Sequence, residues 1–350
     1  RAAFADAVGE PPPCSVMVIA AHSPGFEPGW PSSCPARVLG GFPPAVVSRL
    51  FRPLSSAGAL ANSNHLGMRG VPPLYVDQAL RFMSEGGADP PPRVADLIED
   101  RIATVSPQAR RVMQAIAILG DAVSAELIQQ IVPDVENLEE VISTIAERGM
   151  VVRPAEGRFS LPHPLFREIV GAAIPAEVRR ELHLRAARVF DDREAPIEAR
   201  ALHARYAQDS LTALLLLEQM ADRALSRGDE GGAIANLQRG LELAREEMYR
   251  GQLDDPLHAV AIFGRKLGDA LTQAKNFSDA EGVLREALDV AGPSGTDRAQ
   301  VLGALARLSF ERDRDDEAVA LLDEAIETAR RSNAHDLVST LTTTRSAWAP

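Results

Sequence analysis

Arg158-Phe-Ser-Leu-Pro-His-Pro-Leu-Phe-Arg-Glu-Ile-Val170 is where this sequence changes character. Just before it, Val151-Val-Arg-Pro-Ala-Glu-Gly-Arg-Phe-Ser-Leu161 predicts two short strands around a turn. After Pro164 every segment has helical periodicity. The stretch is a hinge between two architectures, and it carries His163 between two prolines.

Working backward, helices are expected at roughly 94–104, from Ser106-Pro107 (a cap, then a first-turn proline), from Ser124, and over 135–148 with Gly149 as its stop. Their core positions are Val112, Ile116 and Leu119, then Leu127, Ile128 and Ile131, then Leu138, Val141, Ile142 and Ile145. Three helices followed by a small hairpin predict a winged-helix domain over 91–165. Further upstream, Gly70-Val-Pro-Pro-Leu-Tyr-Val-Asp-Gln-Ala-Leu-Arg-Phe-Met83 breaks at its prolines, then sets Leu74, Ala79, Leu80 and Met83 on one side of a helix. Ser15-Val-Met-Val-Ile-Ala-Ala21 is an apolar run of strand length whose parallel neighbours are nowhere upstream.

Working forward, helices are expected near 164–174, 176–191, 195–208 and 211–227, the last buried nearly all round through Leu214-Leu-Leu-Leu217. Three segments then align without gaps, Ala233–Ala244, Ala280–Ala291 and Ala318–Ala329, each preceded by another helix. Alanine opens and closes each segment, where paired helices approach closely. This predicts a tetratricopeptide-like helix-pair solenoid over 166–350, with units near 211–247, 259–292 and 298–332 and longer connections than a tight array. The fold expected is mostly α: a remnant of an α/β core (1–42), a helical lid (43–90), the winged helix and the repeats.

Composition narrows function. A net charge of -12 argues against nucleic acid or a membrane surface as partner. The helix that would enter a DNA groove, Asp134 to Arg148, carries five acids against one base, which a phosphate backbone repels. Cys14 and Cys34 form no disulfide framework, so a reducing cytoplasm is expected. Among 37 basic residues only Lys266 and Lys275 are lysines, so neither a phosphate-binding loop nor a kinase lysine can sit in the first 265 residues. His163, His183 and His203 recur at intervals of 20, which invites a metal site, but no ligand stands at the short spacing zinc needs and coincidence is the simpler account.

Several of these segments together carry a resemblance. Met17-Val-Ile-Ala-Ala-His-Ser-Pro-Gly-Phe-Glu-Pro-Gly-Trp30 resembles the sensor-1 strand and loop of the STAND class of AAA-type signal-transduction ATPases. Pro73-Leu-Tyr-Val76 resembles their lid motif, and residues 93–190 resemble the winged-helix segment that follows, down to Phe159-x-x-x-His163-x-Leu165-x-Arg167-Glu168. Such modules occur in bacterial regulators, cyclases and serine/threonine kinase fusions, usually ahead of tetratricopeptide-like repeats. The resemblance implies that His163 contacts the β-phosphate of ADP in the closed state, and that Pro73, or Pro72 given one extra residue here, packs on the adenine. A helix-start cap and a plain turn are the competing readings of these residues.

Ser23 stands where the resemblance puts the sensor arginine, and a serine cannot neutralise a γ-phosphate. The expectation is a non-catalytic regulatory part that binds no cofactor of its own, ATP or ADP belonging to the parent protein. Its partners are then an upstream ATPase core and a protein docked on the repeats. A stand-alone scaffold, or the tail of a kinase or cyclase fusion, are the alternatives.

Overall fold

The computed structural model describes residues 40–51, 70–292 and 295–348. The expected core remnant, with the Ser15–Ala21 run, Ser23 and both cysteines, lies outside the described residues except for 40–42. The chain divides into two compact units, residues 1–101 and 102–350.

In the first unit, α1 (Pro44–Phe51), α2 (Pro73–Ser84) and α3 (Val94–Ala103, whose last two residues belong to the second unit) surround a small cluster of Val47, Val71, Tyr75, Val76, Ala79 and Leu97. Phe42 and Val71 exchange both backbone hydrogen bonds, at 2.8 and 3.0 Å. The buried centre of α2 is Tyr75, Val76 and Ala79, while Leu74, Leu80 and Met83 sit half-buried at its margin. The apolar face is thus turned toward Tyr75 relative to the expected stripe, because the tyrosine hydroxyl finds a partner in the Pro91 carbonyl at 2.9 Å. Arg101, with no exposed surface, is held by both oxygens of Glu85 at 2.6 and 3.1 Å and by Gln78.

The second unit opens with α4 (Pro107–Leu119), β1 (Val123–Ser124), α5 (Ala125–Ile131), α6 (Leu138–Glu147), β2 (Val152–Ala155), β3 (Arg158–Ser160) and α7 (Pro164–Ala172). Ser106 and Ser124 cap α4 and α5 by accepting the N–H groups of Ala109 and Leu127, both at 3.2 Å. The hairpin β2–β3 turns at Gly157 with φ +65°, a conformation only glycine adopts without strain. The sheet has one strand more than expected: β1 pairs antiparallel with β3, giving the order β1-β3-β2. Two residues are too short to show a period, which is why the sequence hides this strand.

The helix expected over 135–148 starts only at Leu138. Asn137 stands in the left-handed region at φ 49° and breaks any helix from Val135, although Val135 itself is buried. Leu119, Leu127 and Val141 are half-buried rather than central. Val112, Ile116, Ile128, Ile142, Ile145 and Phe166 are the closed core.

From α8 (Ala176–Asp192) the chain runs α9 (Ile197–Tyr206), α10 (Ser210–Ser226), α11 (Glu230–Arg250), α12 (Pro256–Gln273), α13 (Phe277–Val290), α14 (Thr296–Glu311), α15 (Asp315–Arg331) and α16 (His335–Trp348), each packed on the next. This is the expected helical repeat solenoid. Ala233, Ala244, Ala280, Ala318 and Ala329 are buried at the helix contacts. At Gly264 a Cβ would stand 2.8 Å from that of Ala287, so α12 and α13 touch backbone to side chain. The aligned segments start at Ala233, Ala280 and Ala318, and the wider first interval comes mostly from a longer helix rather than a longer connection: α11 has 21 residues against 14 for α13. Burial of α10 is not all round: Leu214, Leu216 and Leu217 face the core, but Leu215 is 51% exposed.

The same turn recurs down the array. Glu194, Gln208, Gly228, Lys275, Asp313 and Asn333 each take positive φ just past a helix. The next residue in each case donates its N–H five residues back, at 2.9 to 3.0 Å, as Asp209 does to Ala204 and Arg314 to Ser309. These are Schellman caps, which satisfy the last carbonyls of one helix while reversing the chain into the next.

Candidate functional site

His163 caps α7. Its Nδ1 accepts the Leu165 N–H at 3.1 Å, and the side chain is otherwise exposed. A nitrogen that accepts cannot also hold the proton, so the neutral imidazole carries it on the outward Nε2. Arg167, one turn on, pairs with Asp121. The capping role foreseen for His163 is therefore present, and it leaves one donor available to an anion. In the first unit, Pro72 is the N-cap of α2 and Pro73 its first residue, both exposed, as a helix-initiating turn requires. Neither proline is packed into the Tyr75 cluster.

Of the five acids expected on the helix before the hairpin, Glu139, Glu140 and Glu147 lie on α6 and are exposed, whereas Asp134 and Glu136 precede it. Asp134 is paired with Arg111. Glu126, Glu139 and Glu140 line one open groove with Gln129, so the surface stays acidic.

The solenoid carries two ladders of charge. Lys266 of α12 reaches Glu218 at 2.7 Å and Asp222 at 3.2 Å on α10, and Arg307 of α14 reaches Asp269 of α12 at 2.7 Å. These tie the first helices of successive pairs together. The second helices are tied by Arg245 of α11, whose Nε meets Glu286 of α13 at 2.7 Å. That hydrogen bond raises the Arg245 pKa above its usual range. Glu281, held by Arg312 at 2.5 Å, is pushed below the usual carboxylate range mainly by that bond. Leu202, Tyr206, Leu211, Leu215 and Tyr249 add exposed apolar surface at the start of the array.

Two of the three histidines that recur at intervals of 20 come together in the fold, although not as a metal site. His183 of α8 and His203 of α9 are both buried and face each other, Nδ1 to Nδ1 at 2.9 Å. Tyr206 stacks on His183 with centroids 4.8 Å apart, and Phe190 meets His203 edge-on at 4.9 Å. Burial lowers both pKa values from 6.5 to about 4, with His203 and Arg179 adding to the shift of His183. His163 does not join them, and no group of three or more metal-ligating side chains occurs among the described residues. The signal was legible only in hindsight: a 20-residue interval means little until the α8–α9 turn folds one helix back on the other.

No helix among the described residues is long and apolar enough to cross a membrane. No family model matches the chain, and no curated protein matches it. Among solved structures it is similar to a STAND protein (Signal Transduction ATPase with Numerous Domains) with a tetratricopeptide repeat sensor from Pyrococcus horikoshii, at 14% identity and a TM-score of 0.40. The match covers 89% of this chain and 51% of that one, so the chain spans about half the length of its neighbour.

Proposed function

We propose that this chain is the non-catalytic regulatory and protein-interaction part of a STAND-type ATPase switch. In this reading the helical repeats within 166–350 are the sensor or docking surface, and residues 91–165 are a winged helix that relays their state to a nucleotide pocket. ATP or ADP is held by an ATPase core ahead of residue 1, and the chain is not itself an enzyme.

The observation that carries the reading is the array, in which successive antiparallel pairs share one apolar cluster from Ile197 to Leu308. In such a stack each pair is stabilised by its neighbours, so a partner on one pair alters the others. His163 supports the nucleotide half: its cap bond orients an exposed Nε2–H donor, and a phosphate oxygen is an acceptor. Pro72 and Pro73, exposed at the start of α2, are free to pack on a base.

The test mixes this chain with the ATPase core from the same gene and measures ADP binding by calorimetry. The chain alone gives no heat. The pair binds ADP, and His163→Ala weakens that binding about tenfold or more, the worth of one hydrogen bond to a charged acceptor. The cap gives His163 a structural use without any nucleotide, which favours the scaffold as second reading. Undiminished ADP affinity in His163→Ala, together with protein docking on residues 195–350 that ignores ADP, selects the scaffold.

A further inference from the structure

The apolar cluster shared by α9–α14 begins at Ile197 on α9 and contains no residue of α8. On its other side, α8 packs on α4 and α5, and it is tied to α5 by Arg185 on the Ile131 carbonyl at 3.1 Å and, just past its end, by Arg193 on Glu126 at 2.6 Å. The aliphatic packing is therefore interrupted between α8 and α9. What fills the gap is His183, His203, Phe190 and Tyr206. Around it stand the Arg180 guanidinium on the Ala207 carbonyl at 3.2 Å and the exposed Arg200–Asp191 pair.

Proton accounting shows what this joint responds to. In the neutral pair one imidazole donates Nδ1–H to the Nδ1 of the other, so a single proton occupies the space between them. A first added proton goes to a bare Nε2 and places a charge in a buried aromatic setting. A second must enter between the rings, and two N–H groups then face each other. The surrounding charges do not offset this. Arg179 on α8 opposes it, Asp209 at the start of α10 is committed to the Thr212 N–H, Glu126 on α5 is taken by Arg193, and Arg111 on α4 lines a groove with Glu177, Glu181 and Arg185.

We propose that the α8–α9 corner is a proton-released hinge: the shared imidazole bond helps hold it closed beside the Arg180–Ala207 and Arg200–Asp191 contacts, and entry of the second proton between the rings frees the helices from α9 onward to turn as a body against residues 102–192. This does not rest on the nucleotide reading, and its test needs no nucleotide.

The experiment is amide hydrogen exchange on the full chain at pH 7.5 and pH 5.0, corrected for intrinsic rates. Amides of α9 and the C-terminal half of α8 lose protection about tenfold or more at pH 5.0, since displacing one imidazole by more than a pKa unit is worth at least that factor. Amides of α12–α14 keep theirs. The double variant His183→Phe, His203→Leu abolishes the local pH response. Uniform loss over the whole array, no loss at all, or a double variant that still responds overturns the proposal. If that variant does not fold, proton NMR titration of the two imidazoles in the unaltered chain decides: midpoints near the ordinary 6.5 overturn the hinge, and midpoints displaced well below it support it.

Discussion

Between α12 and α13 two helices meet glycine against alanine, Gly264 on Ala287, and between α8 and α9 they meet imidazole against imidazole. Gly264, Ala287, His183 and His203 are all buried or closely packed at these contacts, while Tyr206 on the second is half-exposed. The first is indifferent to solution conditions, because methyl contacts and backbone proximity carry no titratable group. The second depends on one proton. The helices α9 to α14 share one apolar cluster, and at the α8–α9 contact two helices meet instead through a buried imidazole pair.

The comparison can be broken by experiment. Phe166→Ala, at a fully buried site on α7, costs about 3–5 kcal/mol. If the border is an articulation, urea unfolding followed by circular dichroism shows an early transition for residues 102–172 and leaves the solenoid midpoint in place. A single displaced transition would mean the two bodies unfold together. Gly264→Val overpacks the α12–α13 contact by about 1–3 kcal/mol and lowers the other midpoint instead.

Acid acts on the joint between them. Folded pKa values near 4 lie below the unfolded 6.5, so the unfolded chain binds more protons between those limits. Stability from the pair is whole above pH 6.5 and is lost as pH falls toward 4. Discounting for water that still reaches the rings, the loss is about 2 kcal/mol, read as a lower urea midpoint at pH 5 than at pH 7.5. Ser124→Ala removes the α5 cap and costs about 1 kcal/mol in the same assay. Arg307→Ala, at a half-exposed rung of the charge ladder, changes stability by less than about 0.5 kcal/mol at ordinary salt.

The repeats were legible because their signal is long and redundant: alanine at both ends of three aligned segments, and Leu237, Leu284 and Leu322 buried at corresponding places. Features that hang on single residues were not. Asn137 shortens α6 by adopting a left-handed backbone that any sequence window averages away. Leu215 lies in a run of four leucines, and only the packing of α11 decides which of them faces out. In the candidate site, the cap at His163 was foreseen because prolines flank it, but its tautomer needed the Leu165 N–H. The His183–His203 pair needed the tertiary fold itself, since nothing local couples residues on separate helices.

The recurrent left-handed turns carry a consequence for how this solenoid changes over generations. Six of its reversals use one backbone geometry, and residues as different as Glu194, Lys275 and Asn333 hold the same pose at a cost of about 1–2 kcal/mol that Gly228 does not bear, so the hydrogen-bonded cap sets the bend. A duplicated or excised hairpin rejoins its neighbours through the identical bend. Reach along the stack is therefore a quantity that genetics adjusts in whole steps, without redesigning any surface already in use.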